Sequence, residues 1–417
     1  MVEFREITQE DVLYNLINLR QLVFEVTENC NLKCKYCGYS QFYQEVDTRN
    51  SGNMTFDRAK KIIDYLYDLW SNHNCKDVLQ RTAVSFYGGE PLMNIALIKK
   101  IITYMESLPS VGRFFTYSMT TNAMLLDIHM DYLVEKNFQL LISLDGNKEG
   151  HSYRIDCKGN NSFDKVLKNV KLLQSKYPHY FGKHVSFNSV LHNRNSAESI
   201  YEFISNEFGK RPHISSLNTS GIRKDKLDEF NKTYQSLYSS ISQSCSKELE
   251  DNLFTDNPQT YNIVEYMFRS SGNIYRSYYE LIIDKDRLKT FPTGTCVPFY
   301  KKMFITVNGQ ILPCERVNYN FSFGYVDDEV HINLSSVAKK HNEFIFKYIN
   351  KCFSCSQRKT CSICIYQSNS VIDGSFSGCE FYRAIREKKE IDVNGLMYLN
   401  QHPYLYLKIL NELTIIE

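Results

Sequence analysis

The chain of 417 residues is long enough for one large domain and a smaller one. Its 49 Lys and Arg against 47 Asp and Glu leave a formal net charge of +2, which gives no global pull toward a nucleic acid or a membrane surface. The N-terminal stretch carries acids throughout and has no apolar core of the signal-peptide kind, and no window approaches the apolar run a membrane span needs. The chain reads as cytoplasmic.

In a reducing compartment the 13 cysteines are thiols available to metals or catalysis rather than disulfide partners. Their placement is uneven. Cys30, Cys34 and Cys37 sit close together near the start, and seven more fall between Cys296 and Cys379. Cys75, Cys157 and Cys245 stand apart and read as ordinary small residues.

Taken in chain order, residues 1–20 form an N-terminal extension. From 21 to 215 short β-rich runs alternate with longer helical patterns. The predicted strands are Leu22–Val26, Ala83–Phe86, Phe114–Met119, Gln139–Ser143 and Val185–Leu191. The predicted helices between them include 55–70, 95–107 and 162–176. The last of these puts Phe163, Val166, Leu167, Val170 and Leu173 on one face. Such alternation argues for parallel βα units, in which residues at the C-terminal strand ends share one mouth. Residues 216–290 read as a polar, helical bridging region that helps shape a substrate cleft. Residues 291–385 form a cysteine-dense module, and 386–417 a C-terminal tail. The module holds one hairpin, Met303–Val307 and Gln310–Pro313 around Asn308-Gly309, where the Asn-Gly pair predicts a type I′ turn and delivers Cys314 to the end of the return strand.

The first cysteine loop, Cys30-x3-Cys34-x2-Cys37, directly follows the first predicted strand. Three thiolates this close can converge on one iron–sulfur cluster and leave its fourth iron open. Structural zinc is the alternative, although zinc normally takes four ligands in paired spacing and His73 and Cys75 are distant in sequence. Chance proximity among many cysteines is another. Further along, Tyr87-Gly88-Gly89-Glu90-Pro91 follows the second strand, Thr120-Thr121-Asn122 ends the third, and Ser143-Leu144-Asp145-Gly146 ends the fourth, followed by His151 and Arg154.

With these motifs the chain resembles the radical S-adenosylmethionine superfamily. The resemblance implies a partial (β/α)6 barrel in the α/β class, with Cys30, Cys34 and Cys37 as ligands of a [4Fe–4S] cluster. It implies S-adenosylmethionine binding by Tyr36, Gly88, Gly89 and Glu90, the last meeting the methionine ammonium. Ser143 and Arg154 would face its ribose or carboxylate, although taken singly either residue is more often structural. The open iron would chelate the methionine amino and carboxylate groups, and reduction would yield a 5′-deoxyadenosyl radical that abstracts hydrogen from an unactivated carbon.

The C-terminal series Cys296, Cys314, Cys352, Cys355, Cys361, Cys364 and Cys379 is similar to the seven-cysteine SPASM domain, with two rather than three residues between Cys361 and Cys364. The resemblance implies two auxiliary [4Fe–4S] clusters, three clusters in all. Cys352, Cys355, Cys361 and Cys379 would hold one, and Cys296, Cys314 and Cys364 the other, which with three thiolates would have an open iron or take a non-cysteine ligand or a substrate thiol. A zinc knuckle or ribbon is the alternative reading of the C-x2-C-x5-C-x2-C spacing.

Relatives with this domain mostly modify peptides and proteins. The resemblance therefore implies a precursor peptide substrate and an electron donor such as flavodoxin or ferredoxin. Sulfatase-maturating relatives look to place an Asp base after the cysteine that here is Cys314. This chain has Glu315, a carboxylate displaced by about 1 Å through its extra methylene, with a plain surface acid as the alternative. That departure, together with the three-thiolate inner cluster, tilts the reading toward a peptide maturase that forms thioether or carbon–carbon crosslinks. A sulfatase-maturating enzyme forming formylglycine and a non-catalytic Fe–S or zinc scaffold remain the other two classes. The residues before the first strand are too few for a leader-binding domain. A precursor would bind on the bridge at 216–290, at a sheet edge by β-addition, or through a partner protein.

Overall fold

In the computed structural model, the described residues are 6–39, 41–43, 51–73, 80–244, 293–317 and 319–356, with single residues and short runs among 249–267 and 361–412. Cys75, Cys245 and most of the stretch from 245 to 290 lie outside them.

Six strands run parallel in sequence order: β1 (Gln21–Thr27), β2 (Gln80–Gly88), β3 (Arg113–Thr121), β4 (Gln139–Ser143), β5 (Val185–Leu191) and β6 (Pro212–Ser216). This is the partial (β/α)6 barrel that the family resemblance implies, built from the parallel βα units that the alternation of periods predicts. The strand β6 carried no sequence expectation; it is short, and Pro212 opens it. Beyond β1 the sheet continues. β7 (Met303–Ile305) pairs with β1 in parallel, and β8 (Gln310–Leu312), β9 (Gly324–Val326) and β10 (Val330–His331) extend it antiparallel to ten strands.

The helices form where apolar residues recur at helical spacing. α1 (Gln9–Ile17) begins at a capping box in which Thr8 accepts from the Asp11 N–H and the Asp11 side chain accepts from Thr8. α2 (Phe56–Asn72) is capped by Thr55 and buries Ile62, Ile63, Leu66 and Trp70. α3 (Ile95–Ser107) and α4 (Leu126–Glu135) cross over to β3 and toward β4. α5 (Phe163–Lys176) buries Phe163, Val166, Val170 and Leu173 as its pattern requires, whereas Leu167 is only partly buried. Its polar Asn169 is also buried, donating to the Ala123 and Met124 carbonyls and so tying the helix to the turn after β3. α6 (Pro178–His184) and α7 (Ala197–Phe208) complete the crossovers. Phe24, Phe86, Phe138 and Phe187 are fully buried, the last packed against Phe181 of α6 and Phe208 of α7.

Two compact units emerge. One comprises 7–243 and 296–339; the other comprises 1–6, 244–295 and 340–417. The start of the stretch expected as a bridge therefore folds with the barrel. Within that unit α8 (Leu227–Thr233) packs Phe230 against Phe42 and Tyr43, and α9 (Leu237–Ser242) follows. Among the described residues no helix is long and apolar enough to cross a membrane.

The hairpin β7–β8 is present, but not with the expected turn. A type I′ turn needs two left-handed residues, and here Gly309 alone has a positive φ, 86°. Its N–H donates to the Thr306 carbonyl, and a Cβ on it would stand 2.4 Å from the Val326 carbonyl. The left-handed backbone of Gly309 and the approach of the neighbouring strand both call for glycine there.

Candidate metal centre

The cysteine loop leaves β1 at Thr27 and is held from three sides. On the first side, β2 ends against it. The Gly89 N–H donates to the Thr27 carbonyl and the Glu90 N–H to the Asn29 carbonyl, each at 2.9 Å. A Cβ on Gly88 would come within 2.1 Å of the Thr27 carbonyl, and one on Gly89 within 2.2 Å of that of Asn29. Gly88 also has φ 144°, a conformation L side chains rarely adopt. The paired glycines are thus required by close backbone approach at the rim of the loop.

On the second side runs the segment 153–156. Lys33 N–H donates to the Ile155 carbonyl at 2.7 Å, Lys35 N–H to that of Tyr153 at 3.1 Å, and Leu32 bridges Asp156. On the third lies the 217–234 segment. Arg223 N–H donates to the Phe42 carbonyl at 2.9 Å, Tyr43 bridges Ile222, and Lys35 pairs with Glu229 at 3.1 Å.

Glu90 is buried, and its carboxylate accepts from Thr121 Oγ1 at 2.7 Å, the Asn122 N–H at 2.7 Å and the Leu92 N–H at 3.2 Å. Burial pushes its pKa up to about 7, while those three donors work the other way. A carboxylate has about four acceptor sites, so these bonds leave it about one. The geometry makes Glu90 a brace between the ends of β2 and β3. Asn122 extends the brace: its amide Nδ2 donates to Asn31 Oδ1 at 2.7 Å and approaches Cys30 Sγ at 3.8 Å.

Below the loop, Asp145 is a fully buried hub. Tyr36 Oη donates to its Oδ2, Arg154 Nε and Nη2 donate to its two oxygens at 2.9 and 3.1 Å, and the Val190 N–H reaches Oδ1 at 2.9 Å. Burial opposes the anion, yet the Arg154 guanidinium and the Tyr36 hydroxyl hold Asp145 below the usual carboxylate range. Arg154 also lies over the Tyr36 ring at 5.4 Å, and His192 stacks on that ring at 5.4 Å. His151 accepts from the Asp145 N–H through Nδ1, and its Nε2 meets Ser162 Oγ at 3.0 Å. Burial pushes both His151 and His192 down to about 4, so both are neutral at physiological pH. Ser143 ends β4, largely buried, and its hydroxyl has no hydrogen-bond partner among the described residues.

Burial pushes the Cys30 thiol up to about 11, with Glu90 and Cys37 adding to it, and that of Cys34 up to about 12, with Cys37 and Cys30 adding to it. A metal must therefore displace their protons on binding. Among the described residues no three His, Cys, Asp or Glu side chains are gathered around a single ion. A cubane asks for something else, because each thiolate binds a different iron. Three mutually interacting soft donors on one loop, with a rim of glycines, fit such a cluster with three protein ligands.

Of the C-terminal cysteines, Cys296 and Cys314 belong to the unit holding the barrel, and Cys352, Cys355, Cys361, Cys364 and Cys379 to the other. Cys352 lies in the last turn of α10 (Leu334–Phe353). Burial, reinforced by Cys361, Cys379 and Cys355, pushes it up to about 12, so the four expected ligands of one cluster are neighbours in space. Glu315, half-buried, pairs with Lys302 Nζ at 3.0 Å. Asp145, Asn31 and His192 are the site residues that sequence reasoning did not single out. The acid inside Ser143-Leu144-Asp145-Gly146 was the one available signal.

Residues 24–206 match the profile of the Radical SAM superfamily. The barrel is a radical S-adenosylmethionine domain and the protein an enzyme, which implies S-adenosylmethionine and a [4Fe–4S] cluster as its cofactors. The chain is similar to the cysteine-type anaerobic sulfatase-maturating enzymes of Clostridium novyi (23% identity, 92% of this chain and 97% of the relative) and Clostridium perfringens strain 13 (24%, 90% and 92%). It is also similar to the radical SAM cyclopropyl synthase TigE of Paramaledivibacter caminithermalis (23%), over 52% of this chain but only 43% of that protein. The fold is that of native anSMEcpe solved with bound AdoMet and Cp18Cys peptide (TM-score 0.55, 18% identity, 95% of this chain and 99% of that one).

Proposed function

We propose that this enzyme is a maturase that removes a hydrogen atom from a side chain of a peptide substrate, with Cys30, Cys34 and Cys37 holding the cluster that S-adenosylmethionine joins. The observation that carries the reading is the convergence of this three-thiol loop with Gly88, Gly89 and Glu90 at one strand end. When bound, the cluster and S-adenosylmethionine supply hydrogen-atom abstraction from an unactivated carbon. The chain's own residues position and shield. Gly88 and Gly89 keep the rim open, and Glu90 offers its remaining acceptor site to an ammonium. Ser143 offers a free hydroxyl, and Arg154, clamped by Asp145 and stacked over Tyr36, offers its unused Nη1 donors to a carboxylate.

The same reading gives the seven C-terminal cysteines to two auxiliary clusters in a SPASM domain. Fully reconstituted protein would then carry about twelve irons, roughly four per cubane. An iron content well below that, with matching sulfide, counts against the three-cluster arrangement. An electron donor of the flavodoxin or ferredoxin kind completes the system.

For the product we favour a thioether or carbon–carbon crosslink, because Glu315 stands where the sulfatase-maturating pattern has Asp and is engaged by Lys302. Formylglycine formation is the second reading, favoured by similarity to the Clostridium enzymes along nearly their whole length. Incubation with candidate precursor peptides and with a peptide bearing Cys-x-Pro-x-Arg, followed by mass spectrometry, separates them. A crosslink removes two hydrogens from the peptide, whereas formylglycine replaces the thiol with an aldehyde. Conversion of the second peptide alone would overturn the crosslink reading.

A further inference from the structure

Cys30 differs from the other two loop cysteines in what reaches its sulfur. The Leu32 N–H approaches Cys30 Sγ at 3.4 Å and the Asn122 side-chain amide at 3.8 Å. Among the described residues no N–H donor reaches the sulfur of Cys34 or Cys37. The orientation of the Asn122 amide is fixed by its other bonds. Its Oδ1 accepts from the Met124 N–H at 3.0 Å, which leaves Nδ2 to face Cys30 and Asn31. Its backbone N–H is held by Glu90, itself buried and anchored to Thr121 and Leu92. A side chain that is 7% exposed and braced at this many points has little freedom to turn away from the sulfur.

We propose that Asn122 is a positioning residue that sets the reduction potential of the cluster through Cys30. The inference rests on the reading of Cys30, Cys34 and Cys37 as cluster ligands. Adding an electron to a cluster makes its thiolate sulfurs more negative, so a fixed N–H donor stabilises the reduced form more than the oxidised one and raises the potential. The donors fall on one thiolate of three, which favours placing the added charge at the iron Cys30 carries. Glu90 then has a role besides any ligand contact: it fixes the residue that fixes the sulfur.

The test uses full-length, anaerobically reconstituted Asn122→Asp and Asn122→Ser. Asp keeps an oxygen for the Met124 N–H but puts an anion in place of the donor; Ser is too short to reach Cys30. The readout is a redox titration followed by electron paramagnetic resonance, using the signal that shifts when S-adenosylmethionine is added. Both variants are expected to keep that signal with a midpoint potential below wild type, Asp lower than Ser. An unmoved potential overturns the proposal. So does loss of the signal from both variants when their thermal unfolding matches wild type, since Asn122 would then only support the loop. A wild-type protein with no S-adenosylmethionine-responsive signal is a different failure, that of the ligand assignment itself.

Discussion

The Asn29 carbonyl oxygen accepts the Glu90 N–H at 2.9 Å, and a Cβ on the preceding Gly89 would stand 2.2 Å from that same oxygen. One atom of the cysteine loop thus depends on the absence of a side chain on the neighbouring strand end. Gly89→Ala must push the two backbones apart, and a displacement of about 1 Å at a reacting centre costs about 10²-fold in rate. The expected result is a loss of that size in 5′-deoxyadenosine formation with the far-ultraviolet circular dichroism of wild type. Turnover within a few-fold of wild type would contradict it.

Asp145 and Arg154 form a buried pair whose members lose differently. Asp145→Asn keeps the shape but leaves a guanidinium uncompensated away from water, a change worth about 3–5 kcal/mol. Arg154→Met combined with Asp145→Asn removes the stranded charge and is expected to recover part of the loss. Urea unfolding of the two proteins measures this. A double variant less stable than the single one would contradict the pairing.

Acid should weaken the fold. His151, His192 and His341 are each pushed by burial down to about 4, so the unfolded chain binds more protons than the folded one below about pH 6.5, and their contribution falls as pH drops. Glu90 has the opposite sign: its pKa is raised to about 7, and protonation on acidification favours the folded state. Three histidines outweigh one glutamate. The net expectation is a loss of about 2 kcal/mol or more between pH 7 and pH 5, at about 1.4 kcal/mol per pKa unit. A urea midpoint that holds or rises over that interval would be inconsistent with neutral buried histidines.

Glu315→Gln tests whether the carboxylate after Cys314 takes a proton in the peptide reaction besides pairing with Lys302. Loss of the carboxylate also frees Lys302 at a half-buried site. Peptide product is expected to fall by about 10²-fold, the scale of a lost general base, while 5′-deoxyadenosine formation without peptide stays within a few-fold of wild type. Unchanged product would reduce Glu315 to the ion pair it makes.

Much of this was legible in the sequence because the signals are local. Strands β4 and β5 and helix α3 fall at their expected residues, since apolar period, strand length and turn chemistry act over a few positions. The glycines of the rim were legible as a motif. Asp145 beneath Tyr36 was not, because the two lie 109 residues apart and only the closing of the barrel brings the hydroxyl to the carboxylate. The folding of 217–234 against the cysteine loop escaped for the same reason: its polar composition reads as a connector, while its few apolar residues, Phe230 among them, have partners near Phe42. In the β7–β8 turn the pair Asn308-Gly309 was read as two left-handed residues, when only Gly309 is left-handed and the close approach of Val326 adds a second demand for glycine.

The central claim is that Cys30, Cys34 and Cys37 hold the cluster on which S-adenosylmethionine is cleaved. Its most direct test is 5′-deoxyadenosine formation by reconstituted protein carrying Cys30→Ala, Cys34→Ala and Cys37→Ala together, under dithionite. The predicted result is no deoxyadenosine above background, with iron lowered by about four atoms per chain and the remaining clusters kept. Deoxyadenosine at the wild-type rate would contradict it.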